Sequence, residues 1–294
     1  MRRKRSKFTR LDGVILLIIA VAVCYIGYRL KVGLHYKWNW GAIPQYLFRY
    51  DAKTGHWVPN LLMQGLFTTI RLSFWATLFA TLFGIIGGFF RISTSLFKRL
   101  VGRTFVELIR NTPPLVLIFI FYYFVSDQIM PILRVDELAR NSSQTTQAVL
   151  SFFFAPPRFF SAFLSAMLTV AIFEAAYITE IVRAGIQSID KGQFEASYAL
   201  GLSWWQQMRH VILPQATQRI LPPLAGQFIS TIKDSAIVSI ISIPELTFQG
   251  MELMAATYLT FECWITITGL YLVLTLSLSL AVERLEVYMM RRNS

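Results

Sequence analysis

Six long apolar stretches recur along this chain, near Leu11–Leu30, Leu66–Phe90, Leu115–Met130, Phe159–Ile181, Leu224–Ile243 and Cys263–Val282. About 20 apolar residues suffice to carry a helix across the hydrocarbon of a bilayer. The expected fold class is therefore all-α, a polytopic membrane helical bundle with six transmembrane helices. The composition agrees: 55% of the 294 residues are hydrophobic, well above the balance of a water-soluble domain.

The net charge of +12 would suit a nucleic-acid binder if its sources were clustered. Instead Lys and Arg recur in blocks between the apolar stretches, which is the pattern that orients a membrane protein. With the N-terminus inside, the inner segments hold eighteen Lys/Arg and the outer segments eight, while Arg71 and Lys233 fall within spans. The expected topology is multi-pass with both termini cytoplasmic, in a bacterial inner membrane, and with no nucleic-acid partner. The first span follows Arg2, Arg3, Lys4, Arg5, Lys7 and Arg10. It is too long for a signal peptide and lacks a small-residue cleavage pattern, so it is read as a retained anchor.

Cys24 and Cys263 both lie in apolar stretches, and His35, His56 and His210 are scattered. No disulfide framework or metal site is expected. The outer segment from Lys31 to Asn60 carries Trp38, Trp40, Trp57, Tyr36, Tyr46 and Tyr50. Such aromatics favour the headgroup level, so membrane lipid is an expected contact there. A second outer stretch, Asp136 to Gln147, is polar and reads as a loop.

The segment between the fourth and fifth spans is not built like an ordinary loop. Gln193 to Leu200 has good helix formers and no Gly or Pro. Gly201 stands just past it, where helices often end in a left-handed residue. A second helical run, Trp204 to Leu213, precedes Pro214. Phe194, Tyr198, Leu200, Trp204 and Trp205 are set among polar groups, which suits a docking surface.

The spacing Glu195-Ala196-Ser197, then Gly201, then Val211, Leu213 and Pro214 resembles the EAA loop of ABC importer permeases. Further matches are Glu107-Leu-Ile-Arg110-Asn111-Thr112-Pro113-Pro114-Leu115, Ala176-Tyr177-Ile-Thr-Glu180-Ile-Val-Arg183-Ala-Gly185, and Lys233-Asp234-Ser235-Ala236-Ile237. Together they resemble the permeases of polar amino acid importers (the histidine, glutamine and glutamate type) from about Gly65 to Val287. The resemblance implies a five-helix type I importer core at 61–294, with a coupling loop at 190–214. Residues 1–60 add a basic segment, an extra span and an interfacial segment. It also implies partners: a cytoplasmic ABC ATPase dimer, a second permease (identical or paralogous) and a periplasmic or extracellular amino-acid-binding protein. The chain lacks G-x-x-x-x-G-K-[ST]. ATP is therefore expected to be used by the partner subunit, no cofactor is bound by this chain, and the chain is not itself an enzyme.

Charges inside spans are costly and should face a cavity or a partner. Gln227, Thr231 and Asp234 share a helical face, with Lys233 beside them; Glu174 precedes Tyr177 by one turn in the fourth span. These six residues are candidates to line a pathway for a zwitterionic amino acid. The ammonium group would suit Asp234 or Glu174, and the carboxylate would suit Lys233. The competing reading is that Lys233 and Asp234 only pair within the bundle. Arg71 is expected to snorkel toward the outer surface. Permeases of this kind that take basic amino acids often carry an acid at the position of Gln227. The neutral Gln227, with Lys-Asp-Ser-Ala-Ile, leans toward glutamate/aspartate or glutamine. The alternative is an ion-coupled secondary amino acid transporter, which often shows an internal repeat and needs no docking loop; no clear repeat is visible here.

Overall fold

The computed structural model describes residues 10–33, 36–53 and 55–292. The basic residues before Arg10, and His35, lie outside the described residues. The chain divides into two compact units, one up to Trp40 and one from Gly41 onward. The first contains α1 (Arg10–Gly33), a helix of mostly apolar residues.

The second unit starts with a short helix α2 (Pro44–Leu47) and an antiparallel hairpin, β1 (Phe48–Asp51) with β2 (His56–Pro59). The Tyr50 and Trp57 rings pair across it, with centroids 5.8 Å apart. The hairpin is tied to the next helix through backbone: Asn60 N–H donates to the Leu47 carbonyl at 2.9 Å, and Gln64 Nε2 to the Pro59 carbonyl at 2.9 Å.

Then come α3 (Leu61–Ile92), α4 (Leu96–Asn111) and α5 (Pro114–Phe124). Pro113 and Pro114 stop α4 and start α5, since the residue before a proline is pushed out of the helical region. After a π-helical turn at Val125–Ile129 follow α6 (Met130–Ile132), α7 (Val135–Arg140) and α8 (Gln144–Phe153). The stretch read as a polar loop is thus largely helical. Ser143 caps α8 by accepting from Thr146 N–H at 3.2 Å, and α3 secures its far end. Arg71 donates to the Ser151 carbonyl at 2.5 Å and Trp75 to the Phe153 carbonyl at 2.9 Å. Arg71 and Trp75 each therefore satisfy one helix-end carbonyl that would otherwise lack a donor.

The central element is α9 (Phe160–Gln187), which buries sixteen residues around most of its circumference. A helix apolar on all sides belongs in a core. Its partner is α3, and the contact is close because glycines face branched side chains. A Cβ on Gly84 would sit 2.5 Å from Ile178 Cγ2, and one on Gly88 2.5 Å from Val182 Cγ1. These small residues thus serve packing within the chain.

After α9 come α10 (Lys191–Ala199), α11 (Trp204–Gln207), α12 (Leu213–Asp234), α13 (Leu246–Thr257) and α14 (Thr260–Arg292). Pro214 does not end the helix. A π-helical turn at Met208–Ile212 joins α11 to α12, and Pro214 sits in the first turn of α12, where a missing N–H costs little. Among the described residues, six helices are long and apolar enough to cross a membrane: Leu11–Arg29, Leu61–Ile92, Pro114–Ile132, Pro157–Gln187, Trp204–Ile241 and Thr260–Arg284.

Candidate functional site

α9 and α12 meet along a polar seam. On α9 it runs through Glu174, Tyr177, Ile181, Ala184 and Ser188, spaced three and four apart on one helical face. On α12 it runs through Arg219, Pro223, Gln227 and Thr231, spaced by four. Between them lies a cavity of about 570 Å³, walled by both helices and by Arg110 at the end of α4. Pro222 and Pro223 lie inside α12. They leave the carbonyls of Gln218 and Arg219 without their helical donors, which loosens the helix along the cavity wall.

The deep end of the seam is a buried polar cluster. Gln227 Nε2 donates to Glu174 Oε2 at 2.6 Å, and Thr231 Oγ1 to the Gln227 carbonyl at 2.9 Å. Glu174 and Thr231 are fully buried. Glu174 Oε1 is buried and has no hydrogen-bond partner among the described residues. Asp234 lies near enough to interact with the same carboxyl group. Lys233 and Asp234 are both exposed, and neither forms an ion pair among the described residues.

The shallow end is rich in guanidinium groups. Glu180 pairs with Arg91 of α3 at 3.0 Å and with Arg183 at 2.7 Å. Arg110 lies over the Tyr177 ring, 5.5 Å from its centroid. Arg219 donates to the Ser188 carbonyl. Arg91, Arg183 and Arg110 thus lie around the Glu180 carboxylate, and Arg219 lines the same cavity, so this end carries an excess of positive charge. Of the six pathway candidates, Tyr177 and Gln227 line the cavity and Glu174 and Thr231 lie behind it. Sequence reasoning missed Glu180, Arg219 and the inward role of Arg110. The available signals were Glu180 one turn after Tyr177 and the four-residue spacing of Arg219, Pro223 and Gln227.

Below this end lies the segment 190–214, the expected coupling segment. Asp190 caps α10 through Gly192 N–H at 2.7 Å. Gly201 has φ +75°, and the chain turns there. Gly201 N–H donates to the Tyr198 carbonyl at 2.9 Å, and Leu202 N–H to that of Ser197 at 3.3 Å. Nothing lies within 4 Å of a Cβ built on Gly201, so backbone conformation, not space, demands glycine. Ser203 and Gln206 form a reciprocal capping box that starts α11. Glu195, Ala196 and Pro214 are exposed, Ser197 is buried, and Val211 and Leu213 are half-buried. Tyr198, Leu200 and Trp205, on either side of the Gly201 turn, are each more than 70% exposed. The segment is seated on the bundle through Phe194, Val211 and Leu213, which pack against a core containing Ile186, Met208 and Ile212.

The fold is thus an all-α bundle whose described residues include six helices able to cross a membrane, with a cavity lined by a few polar groups between α9 and α12. Residues 80–289 match the family described as the binding-protein-dependent transport system inner membrane component. The glutamine transport system permease protein GlnP of Escherichia coli (strain K12) is 35% identical over 226 residues, covering 77% of this chain and 91% of that protein. The glutamate/aspartate import permease protein GltJ of the same strain is 30% identical over 250 residues, covering 85% and 94%. A crystal structure of an amino acid ABC transporter with histidines matches at TM-score 0.65 and 31% identity, covering 86% of this chain and all of that one. The chain belongs to this family and, within it, to the amino acid ABC transporter permeases.

Proposed function

We propose that this chain moves a polar amino acid, acidic or neutral, across the inner membrane by alternating access, driven by ATP hydrolysis in a partner subunit. The observation that carries the reading is the cavity between α9 and α12. Its volume lies in the range of small-molecule sites, and it pairs a few convergent polar groups with apolar walls. Arg110 and Arg219 at one end suit a carboxylate. Gln227 at the other, held by Glu174 behind it through its amide nitrogen, leaves its amide oxygen to accept from an ammonium or amide group. The excess of guanidinium groups disfavours a cationic side chain. By contrast, a 610 Å³ hollow near Arg71 is walled mainly by aromatic and aliphatic groups.

The similarity to permeases named for glutamine and for glutamate/aspartate supports the same substrate class. The expected partners are a cytoplasmic ABC ATPase dimer docking on Glu195–Pro214, a second permease and a substrate-binding protein. Lys233 and Asp234, one turn beyond Thr231, line the pathway where it continues past the cavity.

The test is uptake of labelled glutamate, glutamine, aspartate and arginine into proteoliposomes containing the permease, its ATPase and its binding protein. ATP-dependent uptake of glutamate or glutamine, with arginine excluded, is expected. Uptake that follows an ion gradient without ATP would overturn the reading.

A further inference from the structure

Glu245 is a second buried carboxylate, at the opposite end of the molecule from the coupling segment. It is fully buried and, among the described residues, has no basic partner within ion-pair distance. Three donors hold it instead, each from a different helix. Phe248 N–H of α13 donates to Oε1 at 2.8 Å. The Tyr271 hydroxyl of α14 donates to Oε2 at 2.9 Å, and Thr69 Oγ1 of α3 to the same oxygen at 3.2 Å. Thr69 Oγ1 in turn accepts from Leu246 N–H at 3.1 Å, and Thr247 Oγ1 lies 3.1 Å from the Tyr271 hydroxyl. A Ser or Asn at this N-cap would satisfy the helix end equally well. The longer carboxylate reaches two further helices, and its burial is costly without those donors.

The surroundings are as close as the hydrogen bonds. A Cβ on Gly65 of α3 would sit 2.9 Å from Leu246 Cα and 3.1 Å from the Glu245 carbonyl oxygen. Leu62, Leu246, Leu253, Cys263 and Ile267 form a separate core beneath this junction. A 3-10 turn, Ser235–Ile241, the left-handed Ser242, Ile243 and Pro244 separate it from Asp234, at the end of the cavity helix α12. Hydrogen-bond networks and packed side chains that have two discrete arrangements can carry coupling between distant sites, and this junction combines both.

We propose that Glu245 is a positioning residue for transport, clasping α13 to α3 and α14 so that the hairpin end of the pathway stays shut until the partner subunits drive it open. The proposal rests on the importer reading, and its test separates the two. In a Cys24→Ser background, Cys263 is the one remaining thiol in the chain, and it is fully buried beside the clasp. Its modification by a membrane-impermeant maleimide, in nanodiscs at fixed pH, reports separation of α13 from α14. Tyr271→Phe removes the α14 donor but keeps the ring. It should speed labelling about tenfold, the factor expected for one buried hydrogen bond to a charged group. With ATPase and binding protein present, it should raise ATP hydrolysis without substrate and lower the number of substrates moved per ATP. Glu245→Gln should act in the same direction.

Unchanged Cys263 labelling in Tyr271→Phe would overturn the clasp while leaving the importer reading intact. Faster labelling with no ATPase stimulation in the parent would sustain the clasp and sink the importer reading. Faster labelling with an unaltered ratio of transport to hydrolysis would reduce Glu245 to a structural role and overturn the proposal.

Discussion

Burial pushes the Glu245 carboxyl above its usual range, against the opposing pull of its Phe248, Tyr271 and Thr69 hydrogen bonds. A folded-state pKa above the unfolded one means that the folded state holds the proton more tightly. Its stabilising contribution is then complete below the unfolded value of about 4.3. It is lost as pH rises through the raised folded value. The melting temperature of the parent, minus that of Glu245→Gln, should therefore fall as pH is raised from 4 through the carboxylate range. A flat difference by scanning fluorimetry in detergent would refute this. At the cavity, Gln227→Glu would place a second carboxylate beside Glu174, 2.6 Å from the present amide nitrogen. Competition assays should then show arginine or lysine gaining against glutamate by at least about tenfold, the effect of 1.4 kcal/mol in differential binding. Equal competition would show that Gln227 does not face the substrate. The residue types at these positions were legible as polar groups in apolar stretches. The Glu174–Gln227 bond joins residues 53 apart, which no local pattern encodes.

Between elements, the α3–α9 contact is the tightest test of packing. Gly84→Ala would place a methyl group 2.5 Å from Ile178 Cγ2. Forcing an extra methyl group into a close-packed contact costs about 1–3 kcal/mol. Thermal unfolding should show the loss, and Ile178→Ala should recover part of it if the clash is the cause. In the coupling segment, Gly201→Ala strains a left-handed residue by about 1–2 kcal/mol, with no clash to relieve. Amide exchange at Tyr198–Leu202 should quicken, with α9 unaffected. The helix of the coupling segment was legible in its composition, and so was its end at Gly201. The helices at 135–153 were not, because their polar face reads as a loop until Arg71 and Trp75 of α3 are seen to hold the far end. Nor was the continuity across Pro214, which depends on the π-helical turn before it.

On the scale of the whole molecule, the charge distribution predicts both termini on the cytoplasmic side, with the β1–β2 hairpin outside. A fluorescent protein fused at the C-terminus should fold and fluoresce, and alkaline phosphatase inserted at Lys53 should be active. The opposite pair of results would reverse the topology, and with it the access of an ATPase to Glu195–Pro214. The exposed Tyr198, Leu200 and Trp205 surface provides a second check. Trp205→Ser should lower recovery of the ATPase on copurification from native membranes while leaving the melting temperature unchanged, because the ring is 73% exposed. Recovery equal to the parent's would remove Trp205 from the docking surface.

The sequence by itself determined the six apolar stretches, the alternation of basic blocks and the spacing from Glu195 to Pro214. Each depends on neighbours along the chain and on the bilayer, which acts on a segment through its length and charge. Tertiary structure alone decided that the glycines of α3 seat the side chains of α9. It decided that Arg110, Glu180 and Arg219 share a cavity with Tyr177 and Gln227. It also decided that Glu245 joins three helices. Those relations link residues tens to more than a hundred positions apart. They follow from which helix faces meet, and the spacing of Glu174 and Tyr177 marks a polar face on α9 without saying which neighbour meets it, since the helix buries residues around most of its circumference.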